Sequence, residues 1–148
     1  MISTKGRYAL RVMIDLAENS AGHTTDNTAE DGEGNEQPEQ YIALKDVAER
    51  QGISKKYLEI IVRDLVANGM IAGTRGKSGG YKLLRKPEEY TVQEILDATE
   101  GTMAAVACLM KDADICPRSS ECKTLPMWKE YDELTREFFS NKKLSDLI

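Results

Sequence analysis

Apolar positions along this chain fall into helical repeats separated by clear breaks. Over residues 1–17, Leu10, Met13, Ile14 and Ala17 recur at three- and four-residue steps, and Ser3 or Thr4 stands ready to cap the N-terminus, which predicts a first helix. From about Asn19 to Gln40 the repeat stops. That stretch has almost no apolar content and reads as an acidic, disordered insertion at about residues 19–41. A solvated loop explains it better than a DNA mimic or a docking segment, because extra loop length costs little closure entropy. Leu44, Val47 and Ala48 then predict a short helix ending at Gly52, and Ser54 caps a second one. On the second, Leu58, Ile61, Val62, Leu65 and Val66 form a stripe that should be buried, closed by Gly69 at the C′ position. Two short helices joined by a tight glycine turn make a helix-turn-helix.

Met70-Ile71 opens a strand, Gly73 to Gly80 turns, and Tyr81 to Leu84 returns, giving a glycine-rich hairpin with Arg75 and Lys77 at its tip. A nucleotide phosphate loop is the rival reading of so many glycines. It fails because Gly76-Lys77-Ser78 runs into Gly79-Gly80 and a strand instead of a helix. Thr91 to Glu94 form a capping box for a helix with Val92, Ile95 and Leu96 inward, ending near Gly101. Thr124-Leu125-Pro126 opens the last helix, on which Trp128, Tyr131, Leu134 and Phe138 recur at three- and four-residue steps beside Phe139. One small domain cannot cover that stripe, so these four residues are expected at a homodimer interface. The expected fold class is mainly α with a small β-wing. A winged helix-turn-helix domain spans 1–90, a connecting helix and cysteine loop 91–123, and a long C-terminal dimerisation helix with its tail 124–148.

The net charge of −5 argues against nucleic acid until the chain is divided. Residues 18–41 carry −7 and residues 87–148 carry −6, whereas residues 1–17 carry +2 and residues 42–86 carry +6. A compact basic segment is the footprint of a polyanion-binding module. The exposed face of the second helix-turn-helix helix holds Ser54, Lys55, Lys56, Tyr57, Glu59 and Arg63. Lysines there suit an ordinary solvated face as well; the basic hairpin directly behind favours DNA. The expected partner is double-stranded DNA, an imperfect palindromic operator read by a dimer. Ser54, Tyr57 and Glu59 would face the major groove, with Lys55, Lys56 and Arg63 on phosphates. Arg75 would follow the minor groove and Lys77 would meet phosphate. No apolar run approaches the roughly 20 residues of a membrane span, and no secretory segment opens the chain, so the expectation is cytoplasmic with no membrane partner. No paired acid and base, nucleophile triad or nucleotide loop is present, and His23 is the single histidine, so no enzyme is expected.

Cys108, Cys116 and Cys122 share one loop, too widely spaced for the paired CxxC of a zinc ribbon and too clustered for chance. Three thiolates with one position left open suit an iron–sulfur cluster; spacing alone leaves structural zinc and a thiol redox switch equally available. Several further runs stand out: Ser3-Thr4-Lys5-Gly6-Arg7-Tyr8, Glu49-Arg50-Gln51-Gly52-Ile53-Ser54, Tyr57-Leu58-Glu59, Arg75-Gly76, Gly79-Gly80-Tyr81, Trp128 and Leu144-Ser145-Asp146-Leu147. With the cysteine loop, these make the chain resemble the IscR/NsrR/CymR-type family of bacterial winged helix-turn-helix regulators, over nearly its whole length outside the acidic insertion. The resemblance, strongest to the IscR-like branch, implies a homodimer and a repressor whose operator affinity is set by an iron–sulfur cluster on Cys108, Cys116 and Cys122. A [2Fe-2S] cluster is favoured over [4Fe-4S]. The genes controlled would serve iron–sulfur assembly, redox or nitric oxide stress, or sulfur metabolism. Two positions depart from the family. Leu125 stands where the IscR branch has a histidine ligand, and Arg7 where the NsrR branch has a carboxylate. Asp112, Asp114 and Glu121 are the nearby carboxylates, and the sequence does not choose among them. The alternatives are a cluster-free regulator of cysteine metabolism acting through a bound enzyme, against which the cysteine triad counts, and a zinc or thiol-switch regulator.

Overall fold

The computed structural model describes residues 2–20, 40–76, 78–101, 103–110 and 112–148. The first helix, α1 (Thr4–Ser20), begins where the Ser3 hydroxyl accepts hydrogen bonds from the amides of Lys5 (3.0 Å) and Gly6 (3.4 Å). It buries Ala9, Val12, Met13, Leu16 and Ala17, a stripe at i, i+3, i+4, i+7 and i+8. Of the apolar repeat in the sequence, Met13 and Ala17 lie in that stripe, and Leu10 and Ile14 flank it, half-buried against the core. The helix also runs further than expected, into the start of the acidic stretch, where the Asn19 side-chain Nδ2 donates to the Asp15 carbonyl at 2.7 Å. Residues 21–39, which hold most of that insertion and His23, lie outside the described residues.

Helices α2 (Leu44–Gln51) and α3 (Lys55–Ala67) are joined by Gly52, whose φ of 62° is the left-handed conformation that ends α2 and turns the chain. On α3, Leu58, Ile61, Val62 and Leu65 are buried as expected, but Val66 is not: it is 42% exposed. Eight residues on from Leu58, it sits about 80° round the helix, at the edge of the stripe facing the hairpin. Strands β1 (Ile71–Thr74) and β2 (Gly80–Leu83) pair antiparallel, with Ile71 opposite Leu83 and Thr74 opposite Gly80. Ile42 adds a short third edge, donating to the Tyr81 carbonyl (2.9 Å) and accepting from the Tyr81 amide (2.8 Å). Only glycine fits at position 80, because a Cβ there would collide with the Ile42 carbonyl oxygen.

Tyr90, fully buried, pins the hairpin base: its hydroxyl donates to the Met70 carbonyl (2.6 Å) and accepts from the amides of Leu84 (3.0 Å) and Arg85 (2.8 Å). The predicted capping box opens α4 (Val92–Glu100), with the Thr91 hydroxyl accepting from the Glu94 amide (3.1 Å) and the Glu94 carboxylate from the Thr91 amide (2.9 Å). After the cysteine loop comes α5 (Leu125–Ser140), none of whose residues is buried. The tail then returns: the Val92 amide donates to the Lys142 carbonyl (2.9 Å), the Leu144 amide to the Tyr90 carbonyl (3.0 Å), and the Leu144 side chain enters the core. The fold is mainly helical with one small sheet, as expected. Among the described residues no helix is long and apolar enough to cross a membrane.

Candidate nucleic-acid interface and candidate metal centre

Ser54 caps α3 by accepting from the Tyr57 amide at 3.3 Å, which leaves Lys55 and Lys56 exposed on the first turn. Glu59 and Arg63 follow on the exposed face. Tyr57 is half-buried and held edge-on against the Tyr8 ring, 5.8 Å between centroids, while the Arg11 guanidinium lies 5.4 Å from the Tyr8 ring. Beyond it, α3 and the hairpin enclose a groove of about 300 Å³ lined by Glu59, Arg63, Val66, Gly73, Thr74, Arg75 and Tyr81. The structure therefore brings Glu59, Arg63 and Arg75 together, and places Ser54, Lys55 and Lys56 on the first turn of α3, outside that groove. Lys77 lies outside the described residues. The sequence reading missed Val66, Thr74 and Tyr81. Strand alternation through β1 and β2 is the signal that could have found the last two.

The three thiols are free. Cys108 is exposed in the 3₁₀ turn Ala107–Leu109, and Cys116 and Cys122 are half-buried. All three line one hollow of about 230 Å³, together with Asp114, Ser119, Leu125 and Lys129. Local turns hold this loop: the Ser119 amide donates to the Cys116 carbonyl (2.9 Å) and the Leu125 amide to that of Cys122 (3.3 Å). The Cys122 thiol is drawn below its ordinary pKa by the hydrogen bond with the Thr124 hydroxyl (3.5 Å), helped by the Thr124 and Leu125 amides and the charge of Arg118. Three soft donors on one hollow, one biased toward thiolate, fit an iron–sulfur or zinc donor set in chemistry. They do not yet converge: among the described residues no three Cys, His, Asp or Glu side chains stand close enough to hold a metal ion. Leu125 lines the hollow and offers no donor, and Arg7 instead donates to the Thr4 hydroxyl on α1 (3.1 Å).

A polar junction links the two regions. Glu100, the last residue of α4, accepts at one carboxylate oxygen from the Ser3 amide (3.0 Å), the Ser3 hydroxyl (2.6 Å) and the Gly6 amide (2.8 Å), so it caps α1 from the segment that enters the cysteine loop. A side chain at Gly6 would collide with that carboxylate. On the same turn of α1, Lys5 lies 2.5 Å from Asp64 of α3, and its hydrogen bond holds that carboxyl below the usual range against the opposing effect of burial. Further along, the Ala105 amide donates to Asp132 of α5 (3.3 Å). Nothing in the sequence pattern singled out Glu100; a glycine inside a helical run at Gly6 was its one trace.

A helix-turn-helix backed by a hairpin, with an open basic groove between them, defines a winged helix-turn-helix DNA-binding regulator. The chain belongs to the Rrf2 family, whose model, described as an iron-dependent transcriptional regulator, matches residues 34–148. It is 34% identical to the protein rrf2 of Nitratidesulfovibrio vulgaris (strain Hildenborough) over 147 residues, 99% of this chain and 86% of that protein. It is 32% identical to the HTH-type transcriptional regulator IscR of Cronobacter sakazakii, over 99% of this chain and 79% of the relative. Among solved structures it superposes on CymR, the global cysteine regulator of B. subtilis, with a TM-score of 0.68 at 28% identity, covering 99% of this chain and 95% of that one. These relatives are transcriptional regulators, and the chain is a regulator of that kind rather than an enzyme.

Proposed function

We propose that this protein is a cytoplasmic, homodimeric repressor whose grip on an imperfect palindromic operator is set by an iron–sulfur cluster, [2Fe-2S] in preference to [4Fe-4S]. The observation that carries the reading is that Cys108, Cys116 and Cys122 line a single hollow. Those three thiolates would hold the group, which supplies when bound a redox-sensitive link between distant points of the loop. The chain's own residues then do the rest. Drawing the loop together changes the pull on Glu100 and so on the first turn of α1, which Lys5 ties to Asp64 on the recognition helix. On DNA, Ser54, Tyr57 and Glu59 read base edges, Lys55, Lys56, Arg63 and Lys77 hold phosphate, and Arg75 follows the minor groove. Two protomers join through Trp128, Tyr131, Leu134 and Phe138.

Anaerobic reconstitution of wild type and the three single Cys→Ala variants, with iron, sulfide and operator-binding measurements, tests this. Wild type should take up both elements and shift its operator affinity, and each variant should lose the bound cluster and the shift. Wild type that takes up only zinc, or variants that keep full cluster content, would overturn it. Arg75→Ala should weaken operator binding and lower the steepness of its salt dependence by about one counterion; unchanged affinity would remove the wing. A thiol switch is the second reading, favoured by three free thiols that line one hollow. It predicts operator binding that responds to peroxide with no iron present.

A further inference from the structure

Three thiols leave a two-iron cluster one protein ligand short, since such clusters take four protein donors. The hollow itself suggests where the fourth stands. Of the three nearby carboxylates, Asp114 is among the residues lining it, and Asp112 and Glu121 are not. Leu125 lines the same hollow without a donor atom, and Ser119 offers only a hydroxyl. Lys129 also lines it, and Arg118 acts on Cys122, so two cations stand by to offset the anionic charge that three thiolates and a carboxylate would gather. Asp114 lies in the stretch between Cys108 and Cys116, on the same loop that would close around the group, so the ligand can be carried in as the cysteines draw together.

We propose that Asp114 is the fourth protein ligand at this site, an oxygen donor from the cysteine loop itself. The inference rests on the iron–sulfur reading above. A carboxylate is a harder and more exchangeable donor to iron than thiolate or imidazole, so the site should release its group readily on the side that Asp114 serves.

The test reconstitutes wild type, Asp114→Ala, Asp114→Asn, Asp114→His and the controls Asp112→Ala and Ser119→Ala with ferrous iron and sulfide, without oxygen. The readouts are iron and sulfide per chain, the visible spectrum, the lifetime in air, and pulsed electron paramagnetic resonance of the reduced protein. Asp114→Ala and Asp114→Asn should lose at least half of the bound iron and sulfide, or shorten the lifetime several-fold, with an altered visible spectrum. The two controls should match wild type. Asp114→His should recover cluster content and gain a strongly coupled nitrogen signal that wild type lacks. Helical circular dichroism of each apo variant separates loss of ligand from loss of fold. An Asp114→Ala protein identical to wild type in content, spectrum and lifetime, or a strongly coupled nitrogen in wild type, overturns the assignment and leaves the cluster reading standing. Wild type that takes up neither iron nor sulfide overturns both.

Discussion

Helices α3 and α5 carry apolar stripes of similar spacing, yet α3 buries Leu58, Ile61, Val62 and Leu65 and the longer α5 buries nothing. Around α3 the chain supplies its own cover, from α1, α2, α4 and the hairpin. Around α5 the described residues do not. Tyr131, Leu134 and Phe138 stay 55%, 59% and 58% exposed, and a cavity of about 440 Å³ lies between Tyr131 and Phe139 on one side and Ile2, Glu100 and Met103 on the other. The difference teaches that periodicity reports a face in need of cover, and not what provides it. The winged-helix half closes on itself. The thiol and α5 half instead leaves a hollow beside three thiols and an apolar stripe open to solvent.

The largest expected effect lies in the self-sufficient half. Asp15 on α1 is only 1% exposed and accepts from the Arg50 Nε (3.0 Å) and Nη2 (2.6 Å) and from the Gln51 side-chain Nε2 (2.9 Å). Arg50→Ala leaves that carboxylate buried with one weak partner and should cost about 3 kcal/mol in urea unfolding. The double replacement Asp15→Leu with Arg50→Met should recover most of the loss, because no charge is then stranded. A single variant within about 0.5 kcal/mol of wild type would mean that α1 and α2 are not locked by this pair.

A contrasting result is expected on α5. Leu134→Ala and Phe138→Ala remove exposed side chains, so the fold of an isolated protomer should shift by less than about 0.5 kcal/mol. Dimer affinity, if these residues are central to the interface, should fall by about 2 kcal/mol each, near thirtyfold, in sedimentation equilibrium. A wild-type chain that sediments as a monomer at micromolar concentration would end the proposal that a second protomer covers this face. Damage to protomer stability from the α5 variants equal to that from Arg50→Ala would erase the contrast itself.

Much of the winged-helix half was legible because local signals and tertiary fate agree there. The Ser54 cap, the Thr91–Glu94 box, the Gly52 and Gly69 stops and the glycine hairpin each specify one backbone conformation, and the fold uses all of them. What escaped notice was the long-range polar bonding. The Tyr90 hydroxyl on the hairpin base, the Asp15–Arg50 pair and the Glu100 cap join residues 20, 35 and 97 positions apart, and no periodicity marks such partners. On α1 the sequence does not rank Leu10 and Ile14 below Val12 and Leu16, because all four are apolar. The packing of α4, β2, α2 and α3 against the helix decides which row turns fully inward. At the thiols the donor types were plain in the sequence. Which carboxylate shares their hollow depended on how an irregular loop folds back.

The smallest effect concerns a tie inside the winged-helix half, between α1 and α3. Lys5 holds Asp64 below the ordinary carboxylate range, chiefly by its hydrogen bond and against burial. A carboxyl lowered in the folded state lends stability that is fully present above its unfolded pKa, about 3.9. That stability is lost as the pH falls through the still lower folded value. Glu94 behaves in the same direction, because the Thr91 amide and hydroxyl and Arg85 outweigh the opposing effect of burial. Acid sensitivity of the whole protein therefore mixes at least two groups, and Lys5→Ala isolates one of them. At pH 7 the variant should be less stable by about 0.2–1 kcal/mol. On acidification below about pH 4 the two stability curves should converge, because protonated Asp64 no longer distinguishes Lys5 from alanine. Urea titrations at pH 7, 5, 4 and 3 measure the gap directly. If it stays constant to the acid end, Lys5 contributes by packing its methylene chain against α3, and the charge link between the first turn of α1 and the recognition helix is not what holds them together.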